Sequence, residues 1–445
     1  MPRALLGGLV LLLFLPELIQ ADNWPTWRGP RGNSVSTEQN LPLVWNSARG
    51  VAWKTEIPGW GTSTPAIWDK WLFVTSQHER DLLLHKLDKV TGQIVWSKTV
   101  GQGDVARAPL QKKSDTERQS QKFHELHNLA SPSPVTNGQV VVTHFGNGDL
   151  AAYDFDGNQL WHRNLQADHG PYTIWWGHAN SPVIFEDMVI SVCMQDNLVG
   201  TGAPPAASYL VAHDVRTGDV RWHTPRATQA TAEECDSYTT PLLRQIGDRV
   251  ELLLMGGNQL DAYDPRTGRQ LWAIPGLTGG RTVTGPTLHG DAFGQYVTTT
   301  IGMKGPMLTF KLPAADKPLA GEQNKGKMTA WRHDKGTPDS ASPVVWENLL
   351  FYVTDDGIVR AFDSQTGQPK WQERLPGQYK ASPLAADGRV YFVNQSGLTT
   401  VLAAGTRYEK LVENQLDDQF IASPAVSEGR IYLRGKQALW CVGKE

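Results

Sequence analysis

Eight short dipeptides divide this chain into similar units, and they constrain its fold more than any other feature. Each places a proline directly after a small residue, at the head of an apolar, strand-like run. The eight are Thr64-Pro65, Ser133-Pro134, Ser181-Pro182, Thr240-Pro241, Gly285-Pro286, Ser342-Pro343, Ser382-Pro383 and Ser423-Pro424. Proline has no N–H, so a strand tolerates it best at its first residue. A repeat of about 40 to 65 residues built from short strands is typical of a β-propeller.

A second motif closes five of these units with an aspartate, a tight turn and a tryptophan. The five copies occupy residues 88–96, 154–161, 214–222, 264–272 and 363–371. Because a glycine precedes each tryptophan by four residues, the indole always falls on the same face, where it can wedge between neighbouring sheets. The predicted wedges are Trp53, Trp96, Trp161, Trp222, Trp272, Trp331 and Trp371. We expect each recurring aspartate to cap its own turn rather than to join a carboxylate site.

The two ends of the chain each supply part of one sheet. Residues 51–58 form a strand-like run around Trp53, whereas the unit that begins at Ser423 is too short to complete a sheet by itself. Pairing the first run with the last unit completes an eighth sheet and removes two free edges. We therefore predict an all-β fold over residues 51–445, an eight-bladed β-propeller of four-stranded antiparallel blades with a closed ring.

The N-terminus resembles a secretory signal. Arg3 precedes an apolar run over residues 5–15, which is too short to span a bilayer. We predict a signal peptide over residues 1–21, with a retained N-terminal anchor as the alternative, and an extension over residues 22–50 that packs on the propeller. The protein would be exported to the periplasm or the extracellular space, with no membrane span after signal removal, as a monomer.

Charge and cysteine content exclude several classes of protein. The chain has 42 basic and 45 acidic residues, so it lacks the basic field that nucleic-acid binding requires. Cys193, Cys235 and Cys441 do not have the close spacing of a zinc or redox pair. Cys235 lies in a loop and is predicted to be the most reactive of the three.

One histidine pair is a weak candidate for metal binding. His124 and His127 are three residues apart and could form a metal site with His178. The pair lies at the edge of a polar insertion over residues 104–129, which is either a mobile loop or a small lid. We therefore predict no metal site.

Ligands of propellers usually bind at the mouth of the central axis, where the loops that precede the innermost strands converge. Here those loops are the residues just before each Ser-Pro dipeptide. The predicted ligand-binding residues are Trp175, Trp176, His178, Asn180, Tyr238, Arg281 and Lys380. The tryptophan doublet could provide a stacking platform, and the polar residues could hold an anionic or hydroxyl-rich ligand. The alternative is that the polar groups merely line a channel filled with water.

The two motifs together resemble the pyrroloquinoline-quinone-like (PQQ-like) propeller repeat, over about residues 51–445. That family contains quinone-dependent alcohol and sugar dehydrogenases. It also contains non-enzymatic members, such as the lipoprotein of the outer-membrane β-barrel assembly machinery. Residues 23–30 and 422–435 are also similar to exported quinone-repeat proteins of planctomycete-type bacteria. The resemblance implies the propeller fold.

Several features expected of the dehydrogenases are missing from the sequence. No two cysteines are adjacent and no Cys-x-x-Cys-His haem motif is present, and no segment matches the calcium-ligand and catalytic-aspartate motif of those enzymes. We predict a non-catalytic binding or protein-interaction scaffold for an unknown protein or a carbohydrate-like ligand, with no cofactor. The alternative is a PQQ-dependent alcohol or sugar dehydrogenase with PQQ and calcium at the axial mouth. A weaker alternative is an accessory of outer-membrane protein assembly.

Overall fold

Each Ser-Pro dipeptide leads into the innermost strand of one sheet in the computed structural model, which describes residues 23–108, 114–290, 294–313 and 317–443. Eight antiparallel sheets are arranged as blades around one axis, and the innermost strands of neighbouring blades contact each other. The predicted eight-bladed fold is confirmed. The predicted signal peptide, residues 1–21, lies outside the described residues.

The strands of each blade are given from the axis outward. Blade 1 comprises Ala66–Trp68, Trp71–His78, Asp81–Asp88 and Ile94–Gln102. Blade 2 comprises Val135–Thr136, Val140–His144, Asp149–Asp154 and Gln159–Asn164. Blade 3 comprises Val183–Phe185, Met188–Cys193, Tyr209–Asp214 and Val220–Pro225. Blade 4 comprises Leu242–Ile246, Arg249–Gly256, Gln259–Tyr263 and Gln270–Pro275, with Gly321–Glu322 added in parallel at its outer edge.

The remaining blades follow the same order. Blade 5 comprises Thr287–His289, Tyr296–Thr300, Met307–Lys311 and Thr329–His333. Blade 6 comprises Val344–Trp346, Leu349–Val353, Ile358–Asp363 and Pro369–Arg374. Blade 7 comprises Leu384–Ala386, Arg389–Val393, Leu398–Ala403 and Lys410–Gln415. Blade 8 comprises Ala425–Ser427, Arg430–Arg434, Ala438–Val442 and Val51–Glu56. The short helices are Glu117–Gln119, Leu165–His169, Ala232–Cys235 and Lys325–Met328.

Ring closure occurs where the sequence predicts it. Val51–Glu56 pairs antiparallel with Ala438–Val442, and Trp53 lies opposite Cys441. The N-terminal strand is therefore the outermost strand of blade 8. The prediction that the two chain ends share one blade is confirmed.

A ring of hydroxyl groups explains why serine or threonine precedes proline in most repeats. The Thr64 backbone N–H donates to Ser133 Oγ at 2.9 Å, and the Ser133 N–H donates to Ser181 Oγ at 2.9 Å. The same bond recurs between other blades, as from the Ser342 N–H to Ser382 Oγ at 3.0 Å. Where this bond forms, one blade satisfies a buried backbone donor of its neighbour near the axis.

The repeated tryptophans bridge neighbouring blades through their indole N–H groups. Trp161 Nε1 donates to the Val215 carbonyl at 3.0 Å, and Trp222 Nε1 donates to the Pro265 carbonyl at 3.0 Å. Equivalent bonds connect Trp53 to Lys89, Trp96 to Phe155, Trp331 to Ser364 and Trp371 to Gly405. Blade 5 lacks the Asp-Thr-Gly turn, and Trp272, which points at it, has no Nε1 acceptor within the described residues.

The recurring aspartates cap their own turns, as predicted. Asp88 Oδ1 accepts hydrogen bonds from the backbone N–H groups of Val90 and Thr91 at 2.9 and 2.8 Å. Partial burial alone would raise the pKa of this carboxyl, but these amide donors outweigh it, so the pKa of Asp88 is lowered. The aspartates therefore belong to the fold rather than to a site.

Candidate functional site

The N-terminal extension reaches the centre of the ring. Trp24 and Ile67, in the innermost strand of blade 1, exchange two backbone hydrogen bonds at 3.0 and 2.8 Å. The Ser36 N–H donates to the Ala385 carbonyl, in the innermost strand of blade 7, at 3.0 Å. The segment from Trp24 to Ser36, which we call the plug, therefore lies among the innermost strands instead of on the outer surface.

Arg28 anchors the plug. This side chain is 0% exposed, and its guanidinium donates to Ser34 Oγ at 2.9 Å and to Thr287 Oγ1 at 3.1 Å. It also donates to the carbonyl oxygens of Asn33, Pro286 and Pro343. Burial lowers the pKa of Arg28 to about 9. Five oxygen acceptors thus hold a buried cation, and no carboxylate of the described residues forms an ion pair with it.

Trp27 closes the axis beside Arg28. Its ring lines cavities on both faces of the propeller, so it separates them. A Cβ atom at Gly285 would lie 3.1 Å from Trp27 Cζ3, although the φ angle of Gly285 does not require glycine. Gly285 is the repeat position that departs from serine or threonine before proline. Space for the Trp27 ring accounts for that departure.

Above Trp27 is the predicted axial mouth, a cavity of about 360 Å³. It is formed by the loops that precede the innermost strands, together with part of the 104–129 insertion. Its wall includes four of the predicted ligand-binding residues, namely Trp176, Tyr238, Arg281 and Lys380. The structure adds Trp27, His124, His127 and Asp339 to the same wall.

Both predicted cations of the mouth are already paired within the chain. Arg281 Nη2 lies 2.8 Å from Asp339 Oδ2, and Lys380 Nζ lies 2.6 Å from Asp355 Oδ2. Ser340 Oγ also accepts from Lys380 at 3.1 Å. An anionic ligand would have to compete with these carboxylates. The mouth therefore presents paired charges beside aromatic rings.

The two histidines of the mouth are neutral at pH 7. Burial lowers the pKa of His127 to about 4. His127 Nδ1 lies 2.8 Å from Ser131 Oγ, and Nε2 donates to the Trp176 carbonyl at 2.6 Å. His124 Nδ1 accepts from the Leu126 N–H at 3.2 Å, and burial together with nearby Lys380 lowers the pKa of His124.

These contacts leave little capacity for a metal at the histidine pair. Both ring nitrogens of His127 are occupied by protein groups. Within the described ranges, no group of three or more histidine, cysteine, aspartate or glutamate side chains could hold a metal ion.

Three predicted mouth residues lie away from the cavity. Trp175 is 3% exposed, and His178 and Asn180 are 0% exposed. His178 stacks on Tyr172 with 4.8 Å between ring centroids, and Asn180 Nδ2 donates to the Thr239 carbonyl at 2.7 Å. These residues support the contact between blades 2, 3 and 4, so the prediction that they contact a ligand at the mouth is not supported by their position.

The described part of the 104–129 insertion explains why the loop that carries Trp175 and His178 is buried. The Lys122 N–H donates to the Trp175 carbonyl at 3.1 Å, and Gln121 Oε1 accepts from the His178 N–H at 3.1 Å. Phe123 packs on Gly177, whose φ of +86° and lack of a Cβ allow a contact that any other residue would block. The described part of the insertion is a cover anchored on blades 2 and 3 rather than an unattached loop.

Cys235 is buried, like Cys193 and Cys441, and its higher reactivity among the three stays a prediction. The residue ends the helix Ala232–Cys235 and is 6% exposed. Burial raises the pKa of its thiol to about 12. Because the thiolate is the nucleophile, this raised pKa disfavours reaction at Cys235 at neutral pH.

Sequence reasoning did not identify Trp27 as part of the mouth, and it did not include Asp339 among the ligand-binding residues. Trp27 belongs to a segment without strand alternation, and its position on the axis depends on contacts with residues far along the chain. The exceptional glycine at position 285 was the available signal. Asp339 lies in one of the loops that converge at the mouth, but the sequence alone does not show that it pairs with Arg281.

A family model described as outer membrane protein assembly factor BamB matches residues 38–250, 113–299 and 320–409. A BamB from Alteromonas naphthalenivorans is 43% identical over 44 residues, which is 10% of this chain and 10% of that relative. The match therefore spans far less than two thirds of the curated relative.

Solved structures with the same fold cover most of the chain. BamB from Moraxella catarrhalis has a TM-score of 0.58 at 14% identity, over 88% of this chain and 99% of that one. Quinohemoprotein alcohol dehydrogenase from Comamonas testosteroni has a TM-score of 0.63 at 14% identity, over 95% of this chain and 81% of that one. At this identity the likeness establishes the fold alone. Among the described residues, no helix is both long and apolar enough to cross a membrane.

Proposed function

This chain belongs to the PQQ-like propeller family of the outer membrane protein assembly factor BamB, and from that premise we propose that it is an exported, non-catalytic binding protein. Its ligand is a neutral, hydroxyl-rich molecule of the carbohydrate type, which binds at the axial mouth. Export is inferred from the signal-like residues 1–21 and from the family.

The observation that carries this proposal is the pairing of the two cations of the mouth. Arg281 with Asp339 and Lys380 with Asp355 offer adjacent donors and acceptors but little net charge. Trp176 and Tyr238 add aromatic surface to the same wall. Neutral sugars present hydroxyl groups that donate and accept together with apolar ring faces, so they match both features.

Quinone chemistry fits this mouth less well. PQQ is a polyanion, and it would need cations that are free to bind it, whereas Arg281 and Lys380 already have carboxylate partners. The calcium that accompanies PQQ requires several oxygen ligands, and the described residues contain no suitable cluster of acidic side chains. We therefore assign no step to PQQ.

A role in outer-membrane protein assembly rests on the description of the family model. Such a role would need an exposed strand edge that adds a partner strand. The outermost strand of blade 6, Pro369–Arg374, is rich in charged residues and begins with proline, which are features that protect an edge from pairing. We keep this role as the second candidate because of the family match.

The proposal is tested by calorimetric titration of neutral mono- and disaccharides into the purified protein. We expect saturable binding of at least one sugar at one site per chain, independent of salt concentration, and lost in Trp176→Ala. Trp68→Ala, on the opposite face of the propeller, is the matched control and should bind normally. Absence of sugar binding, together with stoichiometric binding of PQQ and calcium, would reject the proposal.

A further inference from the structure

A second cavity on the same face as the mouth is lined by an arginine that has no hydrogen-bond acceptor among the described residues. The cavity has a volume of about 280 Å³ and lies beside the mouth, where blades 7, 8 and 1 meet. We call it the lateral pocket. Arg434, the last residue of the strand Arg430–Arg434, lines it and is only 1% exposed.

The guanidinium of Arg434 has donors on every side, but no acceptor in the described part of the protein. Its Nε, Nη1 and Nη2 atoms are all buried without a hydrogen-bond partner in the described part of the chain. Burial lowers the pKa of Arg434 to about 10, so the group remains charged at pH 7. A buried charge without hydrogen bonds is strongly unfavourable, and native proteins rarely keep one without a function or a ligand.

The carboxylate of Asp418 does not satisfy this arginine. Asp418 attracts Arg434 through space. Its carboxylate oxygens, however, accept hydrogen bonds from the Ala438 N–H at 3.0 Å and from Trp440 Nε1 at 3.2 Å. Asp418 also packs directly against the backbone of Gly435, the residue that follows Arg434. Asp418 therefore stabilises the turn and leaves the guanidinium donors available.

A second unsatisfied donor lines the same pocket. Gln395 Nε2 is buried and has no acceptor among the described residues. Two different residues of one cavity lining thus carry buried amide and guanidinium N–H groups without an acceptor among the described residues. A ligand with several acceptor oxygens close together satisfies both of them.

The charge and the aromatic wall of the lateral pocket limit the class of ligand that it can bind. The residues of the pocket include two cations, Arg434 and Lys436, and one carboxylate, Glu125, so their net charge is a single positive unit. That charge matches a monoanion better than a doubly charged phosphate. Trp60 forms an aromatic wall, and Lys436 Nζ lies 5.1 Å from the centroid of its ring.

From these contacts we propose that the lateral pocket binds a small monocarboxylate, with the carboxylate on Arg434 and Gln395 and the apolar body against Trp60. The planar guanidinium suits a two-point contact with a carboxylate. This site adjoins the sugar site proposed for the mouth and shares Thr62, Leu126 and Ile421 with it, but its presence does not depend on that proposal.

The test uses sodium benzoate as the probe, titrated into the whole protein at constant ionic strength and followed by calorimetry and Trp fluorescence. We expect saturable binding, at least about tenfold weaker binding of inorganic phosphate, and a loss of at least about tenfold in Arg434→Met. Arg31→Met, an exposed arginine on the opposite face, is the matched control and should bind like the wild type.

Gln395→Glu keeps the test decisive if Arg434→Met fails to fold. This change adds a carboxylate of the protein to the pocket that Arg434 lines, so it should raise the melting temperature and abolish benzoate binding. The proposal is overturned if the wild type does not bind benzoate, if phosphate binds as tightly, or if binding survives in Gln395→Glu. Sugar binding at the mouth would be unaffected by each of these results.

Discussion

Arg28 and Arg434 are the two least exposed arginines of the described chain, and they are buried in opposite ways. Arg28, in the plug, donates to five oxygen atoms, whereas no guanidinium nitrogen of Arg434 has an acceptor in the described chain. The first arrangement is complete and holds the centre of the ring together. The second is incomplete and marks a place for a ligand. Satisfaction of donors, rather than burial alone, separates a structural arginine from a binding arginine.

The largest loss of stability should come from deleting Arg28 together with the rest of the N-terminal extension. Deleting residues 22–58 removes the plug and the strand Val51–Glu56, and it exposes the edge of the strand Ala438–Val442 in blade 8. We expect loss of cooperative folding or association of the truncated chains, measured by thermal unfolding and light scattering. A truncated chain that stays monomeric with an unchanged melting temperature would contradict the role of both elements.

The variant Arg28→Met tests whether the hydrogen bonds of Arg28 stabilise the fold. It leaves several buried acceptors without a donor, and each unsatisfied group costs about 1 to 3 kcal/mol. We expect the free energy of unfolding to fall by roughly 3 to 5 kcal/mol in a denaturant titration. Arg31→Met should change it by less than about 0.5 kcal/mol, because Arg31 is exposed. If Arg28→Met and Arg31→Met lowered the free energy of unfolding equally, the hydrogen bonds of Arg28 would not be what stabilises the fold.

Buried histidines differ from the two buried arginines in their charge. Burial keeps the histidines neutral at pH 7, whereas both arginines stay charged. Burial lowers the pKa values of His127, His213 and His289 to about 4. In the unfolded chain these groups take up protons below about pH 6.5. The free energy of unfolding should therefore fall as the pH drops from about 6.5 to 4 and should not depend on these groups at higher pH.

The variant His127→Gln gives this pH dependence a quantitative test. Stability curves measured by denaturant unfolding at several pH values should lose the equivalent of about one proton between pH 6.5 and 4. A slope identical to that of the wild type would show that His127 titrates normally in the folded protein.

The smallest change in stability is expected for the repeated tryptophans. Some of their indole N–H groups have an acceptor, whereas that of Trp272 has none among the described residues. Trp222→Phe leaves the Pro265 carbonyl without its indole donor, whereas Trp272 Nε1 has no acceptor among the described residues. We expect Trp222→Phe to cost about 1 kcal/mol more from the lost hydrogen bond than Trp272→Phe. Denaturant titration of both variants measures the difference. A larger loss in Trp272→Phe would contradict this ranking.

The repeat made most of the fold predictable. Ser-Pro dipeptides located the innermost strands, and the shared blade of Trp53 and Cys441 followed from counting strands. Both signals are local, because strand starts and turns depend on a few neighbouring residues. The loops of the mouth could be located for the same reason.

The site itself was only partly predictable, because its details depend on contacts between distant segments. His178 precedes a Ser-Pro dipeptide like other mouth residues, but Gln121 and Phe123 of the insertion cover its loop. Trp27 reaches the axis through a segment with no strand pattern. Arg434 ends an apolar strand, where an arginine would ordinarily be interpreted as exposed, and only the packed blades show that it is buried.

The central claim is that the mouth of this propeller binds a ligand without quinone-dependent catalysis. The most direct measurement is a titration of the purified protein with PQQ and calcium, followed by its absorption spectrum and by dye reduction with alcohols and sugars. The account predicts no saturable spectral change and no dye reduction above the rate without protein. Binding at one PQQ per chain, with dye reduction that is lost in Arg281→Ala and Lys380→Ala, would contradict it.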